Sequence, residues 1–257
     1  MNNNLIKDFK DKIQNSPVFG PFAKTSDPAF IECLGYANFD FVILDMEHGP
    51  NTILNMQNLI RAAEVSGILP IVRVKENCPS LIGEVLDIGV KGIQVPQITC
   101  SNDVRQLVKL AKFAPIGMRG VCRYVRAANY GSLDQKEYYK DANDCLTIIQ
   151  LEGQVAINNL DEILEESGYD ILFIGPYDLS QALGVPGEIN HTVVEEKIKR
   201  IVLECKKKDI VVGIFADNEE DVQKWIKLGV KYISYSVDVG FFYSSYKAVL
   251  KRLKNIK

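Results

Sequence analysis

The sequence predicts a (β/α)8 barrel, and three observations lead there. Eight short apolar runs rich in Val and Ile, at 17–23, 40–45, 69–74, 92–97, 146–152, 171–176, 210–216 and 232–238, recur along the 257 residues. Such continuous runs suit parallel strands covered on both faces. Helical patterns fall between them at 55–65, 79–86, 102–113, 155–166, 193–207 and 218–228, the alternation that closes a barrel within about 250 residues. Third, no composition shift marks a linker, and nothing resembles the GxGxxG loop of the runner-up, a doubly wound sheet. One domain over 1–257 is expected, with an N-terminal helix in MNNNLIKDFKDKIQ and a C-terminal helix at a subunit interface.

Composition narrows the function classes. Hydrophobic residues at 47% and charged residues at 25% describe a folded, soluble chain rather than a disordered one. The net charge is −3 and the longest basic run is Lys206-Lys207-Lys208, which points away from nucleic acid and anionic membranes. No apolar run approaches the roughly 18 residues of a membrane span, and the N-terminus lacks a signal-peptide core. The six cysteines are scattered without CxxC spacing, as expected for reduced thiols of a cytoplasmic protein.

In a barrel, chemistry belongs at the C-terminal ends of the strands. The second run ends Asp45-Met46-Glu47-His48-Gly49-Pro50, where His48, one of two histidines, is a candidate base. Arg73 lies within the third run and needs an anionic partner, either an internal carboxylate or a substrate. Gln94 and Gln97, at the end of the fourth, read as structural. In the fifth, Gln150 and Glu152 are two residues apart and leave the same face of the strand. The sixth breaks at Gly175-Pro176 and delivers Asp178. Parallel neighbours put both strand ends at one edge, so Gln150, Glu152 and Asp178 converge. Two carboxylates brought together share a proton or a cation; the alternative is that each caps a helix. Asp238 reads as the cap of the C-terminal helix, and His191 as an exposed loop residue. The irregular segment Ile116–Gly131 carries Arg119, Arg123 and Arg126. It is either an exposed basic loop or a lid or subunit contact bringing arginine to an anionic substrate.

The motifs LDMEHGPN, PIVRV, LDIGVKGIQVP, GMRG, QLE and IGPYDLSQALG, in this order, resemble the HpcH/HpaI family of pyruvate-dependent class II aldolases, whose type member is 2,4-dihydroxyhept-2-ene-1,7-dioate aldolase. The resemblance runs from about Phe19 to Phe242. It implies a barrel of the phosphoenolpyruvate/pyruvate superfamily type and a divalent cation, Mg²⁺ or Mn²⁺ with Co²⁺ as a further option, on Glu152 and Asp178. It further implies His48 as base, Arg73 as stabiliser of the enolate, and Asp87 as support for the histidine. Gln150 and the backbone amide of Tyr177 would contact the oxo acid. The implied reaction is reversible cleavage of a 4-hydroxy-2-oxo acid to pyruvate and an aldehyde, carried out by a homohexamer.

Tyr177 and Met46 depart from the small residues common at these positions in the family, which bears on the aldehyde partner. Citrate lyase-like and macrophomate synthase-like proteins reuse the pyruvate enolate, so fold alone leaves the reaction open. Two other readings compete. A Schiff-base aldolase would use Lys75 or Lys24, and a metabolite-binding module would keep the pocket without turnover.

Overall fold

The computed structural model describes residues 4–256, so the first three residues of the expected N-terminal helix and Lys257 lie outside the described residues. Eight strands close into one parallel barrel in sequence order. They are β1 (Val18–Ala23), β2 (Phe41–Asp45), β3 (Leu69–Arg73), β4 (Gly92–Val95), β5 (Leu146–Leu151), β6 (Ile171–Ile174), β7 (Val211–Ala216) and β8 (Tyr232–Val237). β8 pairs with β1 to complete the circle, and the register shifts between Gly20 and Phe22. β4 and β6 stop before the runs 92–97 and 171–176 do. Pro96 and Pro176 carry no amide hydrogen to extend the ladder.

The two-residue period of a strand sorts the side chains into two layers. Val42, Leu44, Val72 and Ile149 face outward and pack under the helices. Phe41, Ile43, Leu69, Ile71, Leu146, Ile148, Ile171 and Phe173 fill the barrel. Continuing that inward series by one step reaches Asp45, Arg73, Gln150 and Gly175. The mouth is thus polar because the alternation runs past the apolar layers at the strand ends.

The other end is plugged. The N-terminal helix Asn4–Asn15 sends Ile6, Phe9 and Ile13 into the inner cluster. The Phe9 ring meets Phe41 and Tyr232 edge-on at 6.0 and 6.4 Å, and those two stack at 4.1 Å. The helical pattern at 155–166 is two short helices, Gln154–Asn158 and Leu160–Leu164, parted at Asn159. Asp238 is the first residue of the final helix, Asp238–Leu253, rather than its cap. Its buried carboxylate accepts hydrogen bonds from the amides of Lys24 and Thr25, joining the exit of β1 to that of β8. Among the described residues, no helix is long and apolar enough to cross a membrane.

Candidate functional site

Arg73 is the centre of the mouth. Its register partner on β2 is Asp45, and both side chains point inward as strand-final residues. Nε donates to Asp45 Oδ1 at 2.9 Å and Nη2 to Oδ2 at 2.7 Å. Nη1 lies 3.1 Å from Glu47 Oε2, and the guanidinium sits 4.4 Å from the centroid of the Phe22 ring. Arg73 and Asp45 are buried. Burial alone would raise the Asp45 carboxyl, but the Arg73 hydrogen bonds and charge outweigh it and hold the group below the usual carboxylate range. Glu47 is pushed up by burial, with Arg73 and His48 opposing. His48 is half exposed, with Nε2 3.9 Å from Glu47 Oε2. The Glu47 and His48 amides donate to Asp45 Oδ1 at 3.0 and 3.3 Å, which anchors the turn that follows β2.

Across the mouth, a chain of amides leads to the second acidic group. Gln94 Nε2 donates to Gln150 Oε1 at 2.6 Å, and Gln150 Nε2 donates to Glu152 Oε2. The other Glu152 oxygen accepts the Gln97 amide at 3.0 Å. Gln97 reaches this position in the left-handed region, at φ 57°, and its side chain returns to Glu47 Oε1 at 3.4 Å. Glu152 is buried, and its carboxyl is pushed up to about 7, chiefly by burial and further by the charges of Asp178 and Glu47, against the Gln150 hydrogen bond. Gly175 makes room for it, since a Cβ there would meet Glu152 Oε2 at 2.7 Å.

Neither acidic residue caps a helix. The helices Gln154–Asn158 and Pro176–Ala182 begin at Gly153 and Gly175 with no side-chain cap. Asp178 is exposed to a cavity of about 340 Å³ lined also by Phe22, His48, Arg73 and Gln150. The charge of the Asp178 carboxylate in that cavity adds to the burial that raises the proton affinity of Glu152. Among the described residues no three His, Cys, Asp or Glu groups cluster to hold an ion. Two carboxylates alone would leave most of a hard cation's shell to water and ligand oxygens, and they lack the ligand number of a closed zinc site.

Several expected residues lie elsewhere. Asp87 ends the helix Pro79–Asp87, at the barrel end opposite the mouth, and pairs with Arg119 at 2.7 Å. It does not meet His48 within this chain; the carboxylate beside the imidazole is Glu47. Arg119 and Arg126 are buried, Arg126 pairing with Glu64, so the 116–131 segment spends two arginines internally and brings none to this chain's mouth. Met46 packs in the outer layer, so it does not shape the cavity. Lys75 is exposed, whereas Lys24 lines the cavity with Nζ 3.8 Å from Asp45 Oδ2. Tyr177 also lines it and donates its hydroxyl to Asp217. His191 caps the helix Thr192–Lys207, Nδ1 accepting the Val193 amide at 3.3 Å.

Sequence reasoning missed Asp45, Glu47, Gln97 and Asp217. Only Asp45 had a usable signal: it is the strand-final acid on the neighbour of the strand that ends in Arg73.

Fold and mouth together define a (β/α)8 barrel with a polar site at the C-terminal ends of its strands, where enzymes of this architecture act. The chain belongs to the HpcH/HpaI aldolase/citrate lyase family, whose sequence profile matches residues 19–245. It is 33% identical over 244 residues to a 2-dehydro-3,6-dideoxy-6-sulfogluconate aldolase of Pseudomonas putida, covering 95% of this chain and 94% of that one. The crystal structure of an HpcH/HpaI aldolase/citrate lyase family protein from Burkholderia cenocepacia J2315 superposes with a TM-score of 0.92 at 29% identity, covering 98% of this chain and 100% of the other. The citrate synthase SbnG superposes with a TM-score of 0.86 at 30% identity, covering 95% and 96%.

The protonation of Glu152 near pH 7 yields a test. A proton competes with a cation for this carboxylate, so saturating Mn²⁺ should raise the melting temperature more at pH 8 than at pH 6. Gly175→Ala, which crowds Glu152, should shrink the shift at both values. Equal shifts at the two pH values, or a full shift in the variant, would contradict the assignment.

Proposed function

We propose that this chain is a class II pyruvate aldolase, reversibly cleaving a 4-hydroxy-2-oxo acid to pyruvate and an aldehyde. The observation that carries this reading is the shared cavity, lined by Arg73, His48, Gln150 and Asp178, with Asp45 and Glu47 holding Arg73 from outside it and Glu152 bonded to Gln150. A divalent cation on Glu152 and Asp178 would supply Lewis-acid stabilisation of charge developing on the 2-oxo oxygen.

The protein's own residues account for the remainder. A guanidinium has five N–H donors; Asp45 takes two of those of Arg73, and Glu47 pairs with its Nη1 at 3.1 Å. The donors that Asp45 leaves free remain for the substrate, at a fixed position beside the oxygen that becomes an enolate. His48 is accessible from the cavity and takes the 4-hydroxyl proton as the C3–C4 bond breaks; Glu47 next to it favours the imidazolium that results. Gln150, held by Gln94 and Glu152, and the Tyr177 amide orient the oxo acid. Aldol products from pyruvate, Mn²⁺ and a panel of aldehydes would support this reading. Loss of product in EDTA, with no borohydride trapping on Lys24, would separate it from a Schiff-base aldolase. A protein that binds pyruvate but turns over nothing would be a binding module instead. The kinship with a citrate synthase makes another electrophile the second reading, and a panel including oxaloacetate tests it.

Arg73 and His48 should separate kinetically. Cleavage and deuterium exchange at the pyruvate methyl share the enolate, so Arg73→Ala should lower both by roughly 100-fold or more. It also strands the buried Asp45 carboxylate, a loss of about 3–5 kcal/mol where one partner of a buried pair is removed, so Arg73→Lys is the companion variant. An ammonium lacks the planar donor fork and should rescue little. His48→Ala should lower cleavage by about 100-fold or more. Cleavage by a coupled lactate dehydrogenase assay and exchange by NMR check both; wild-type exchange in Arg73→Ala would make Arg73 a positioning residue only.

The same reading includes a homo-oligomer, a hexamer by family resemblance. Val239, Phe242, Tyr243, Tyr246, Leu250 and Leu253 form an exposed apolar stripe at helical spacing along the final helix. Light scattering at micromolar concentration should give a multiple of the chain mass, and Phe242→Glu with Leu250→Glu should lower it. A wild-type monomer would contradict this.

A further inference from the structure

The cavity holds a polar pair apart from the groups assigned to the enolate. The groups assigned to the enolate come from β2, β3, β5 and β6. The remaining wall carries Phe22 from β1, Phe215 from β7 and Val237 from β8, with Lys24 just past the end of β1. It ends at one hydrogen-bonded pair, Tyr177 and Asp217. Asp217 follows β7 directly and is exposed. The Tyr177 and Phe215 rings stand 6.0 Å apart, and the Tyr177 hydroxyl donates to the carboxylate. Among the described residues, no lysine, arginine or histidine pairs with Asp217, and the hydroxyl is its one hydrogen-bond partner. A carboxylate has about four acceptor sites, so Asp217 keeps most of its capacity and its whole charge at the rim. The two cations that line the cavity, Lys24 and Arg73, are both engaged with Asp45.

We infer that Asp217, oriented by Tyr177, determines which aldehyde is accepted: it takes a hydrogen bond from a neutral hydroxyaldehyde and turns away aldehydes that carry a carboxylate. The inference rests on the aldolase reading, because it concerns the second substrate of that reaction. A site built to accept a hydroxyl hydrogen bond discriminates strongly against a partner that cannot donate one. Like charges brought together in a narrow cavity add a repulsive component, and selectivity commonly needs one. Phe22, Phe215 and Val237 favour a short carbon chain between the carbonyl and the hydroxyl.

The test uses two probes of similar size, glycolaldehyde and glyoxylate, as acceptors for pyruvate with Mn²⁺. The readout is the ratio of their kcat/KM values in each protein, which cancels differences in overall activity. Relative to the wild type, Asp217→Asn should shift this ratio toward glyoxylate by roughly 10-fold or more. Asp217→Leu, which removes the acceptor as well, should also lower glycolaldehyde addition by about 10-fold. Asp217→Glu should keep the preference. Deuterium exchange at the pyruvate methyl, which needs no aldehyde, is followed on the same proteins. Wild-type exchange with an unchanged ratio in Asp217→Asn overturns this inference and spares the aldolase reading. A wild-type preference for glyoxylate that Asp217→Asn leaves intact would assign the tail to Lys24 and also overturn it. No exchange in the wild type overturns both readings.

Discussion

The mouth of this barrel depends on one buried guanidinium held by two carboxylates. Arg73 is fixed by Asp45 through two hydrogen bonds and by Glu47 through a third contact. A buried ion pair of this kind adds little net stability, because desolvation of the charges offsets their attraction. What it does confer is position. Two hydrogen bonds to Asp45, the Glu47 carboxylate at Nη1 and the Phe22 ring at its face hold the guanidinium in place. Asp45 also takes the Glu47 and His48 amides, so the same carboxylate sets the place of the arginine and of the turn that carries the histidine.

The opposite wall has the reverse electrostatics. The Asp45 carboxyl is held low by its cation, while burial and two neighbouring carboxylates push Glu152 up to about 7. One acid has a cation beside it within the protein; the other accepts hydrogen bonds from Gln150 and Gln97 and, among the described residues, has no cation paired with it. Active sites are where such contrasts concentrate. Gln97 connects the two walls, with its amide on Glu152 and its side chain on Glu47, from a left-handed backbone conformation that a non-glycine residue adopts at a cost.

Much of this was legible in the sequence. Eight Val- and Ile-rich runs separated by helical patterns specify the barrel, and the period of two carries Arg73, Gln150 and Glu152 to the mouth. Tertiary partnerships were not legible. Asp87 follows a motif shared with the family, but its place at the end of a helix sets it at the far end of the barrel, against Arg119. The arginines of 116–131 look free in a glycine-rich segment, yet Glu64 and Asp87 hold two of them. Gln97 reads as structural, and its hold on Glu152 gives no signal because the donor is a backbone amide; Asp217 gives none because Tyr177 lies forty residues away. Asp45 was readable only by pairing strand ends across the β2–β3 register.

The central claim, that Asp45 makes Arg73 a fixed donor for the enolate, is tested by Asp45→Asn. The change keeps the shape and removes the charge that holds the guanidinium. Measured on folded protein saturated with Mn²⁺, exchange at the pyruvate methyl should fall by roughly 10-fold or more. The affinity for Mn²⁺ should be retained, since Asp45 is no part of the Glu152–Asp178 pair. Exchange at the wild-type rate would contradict the account.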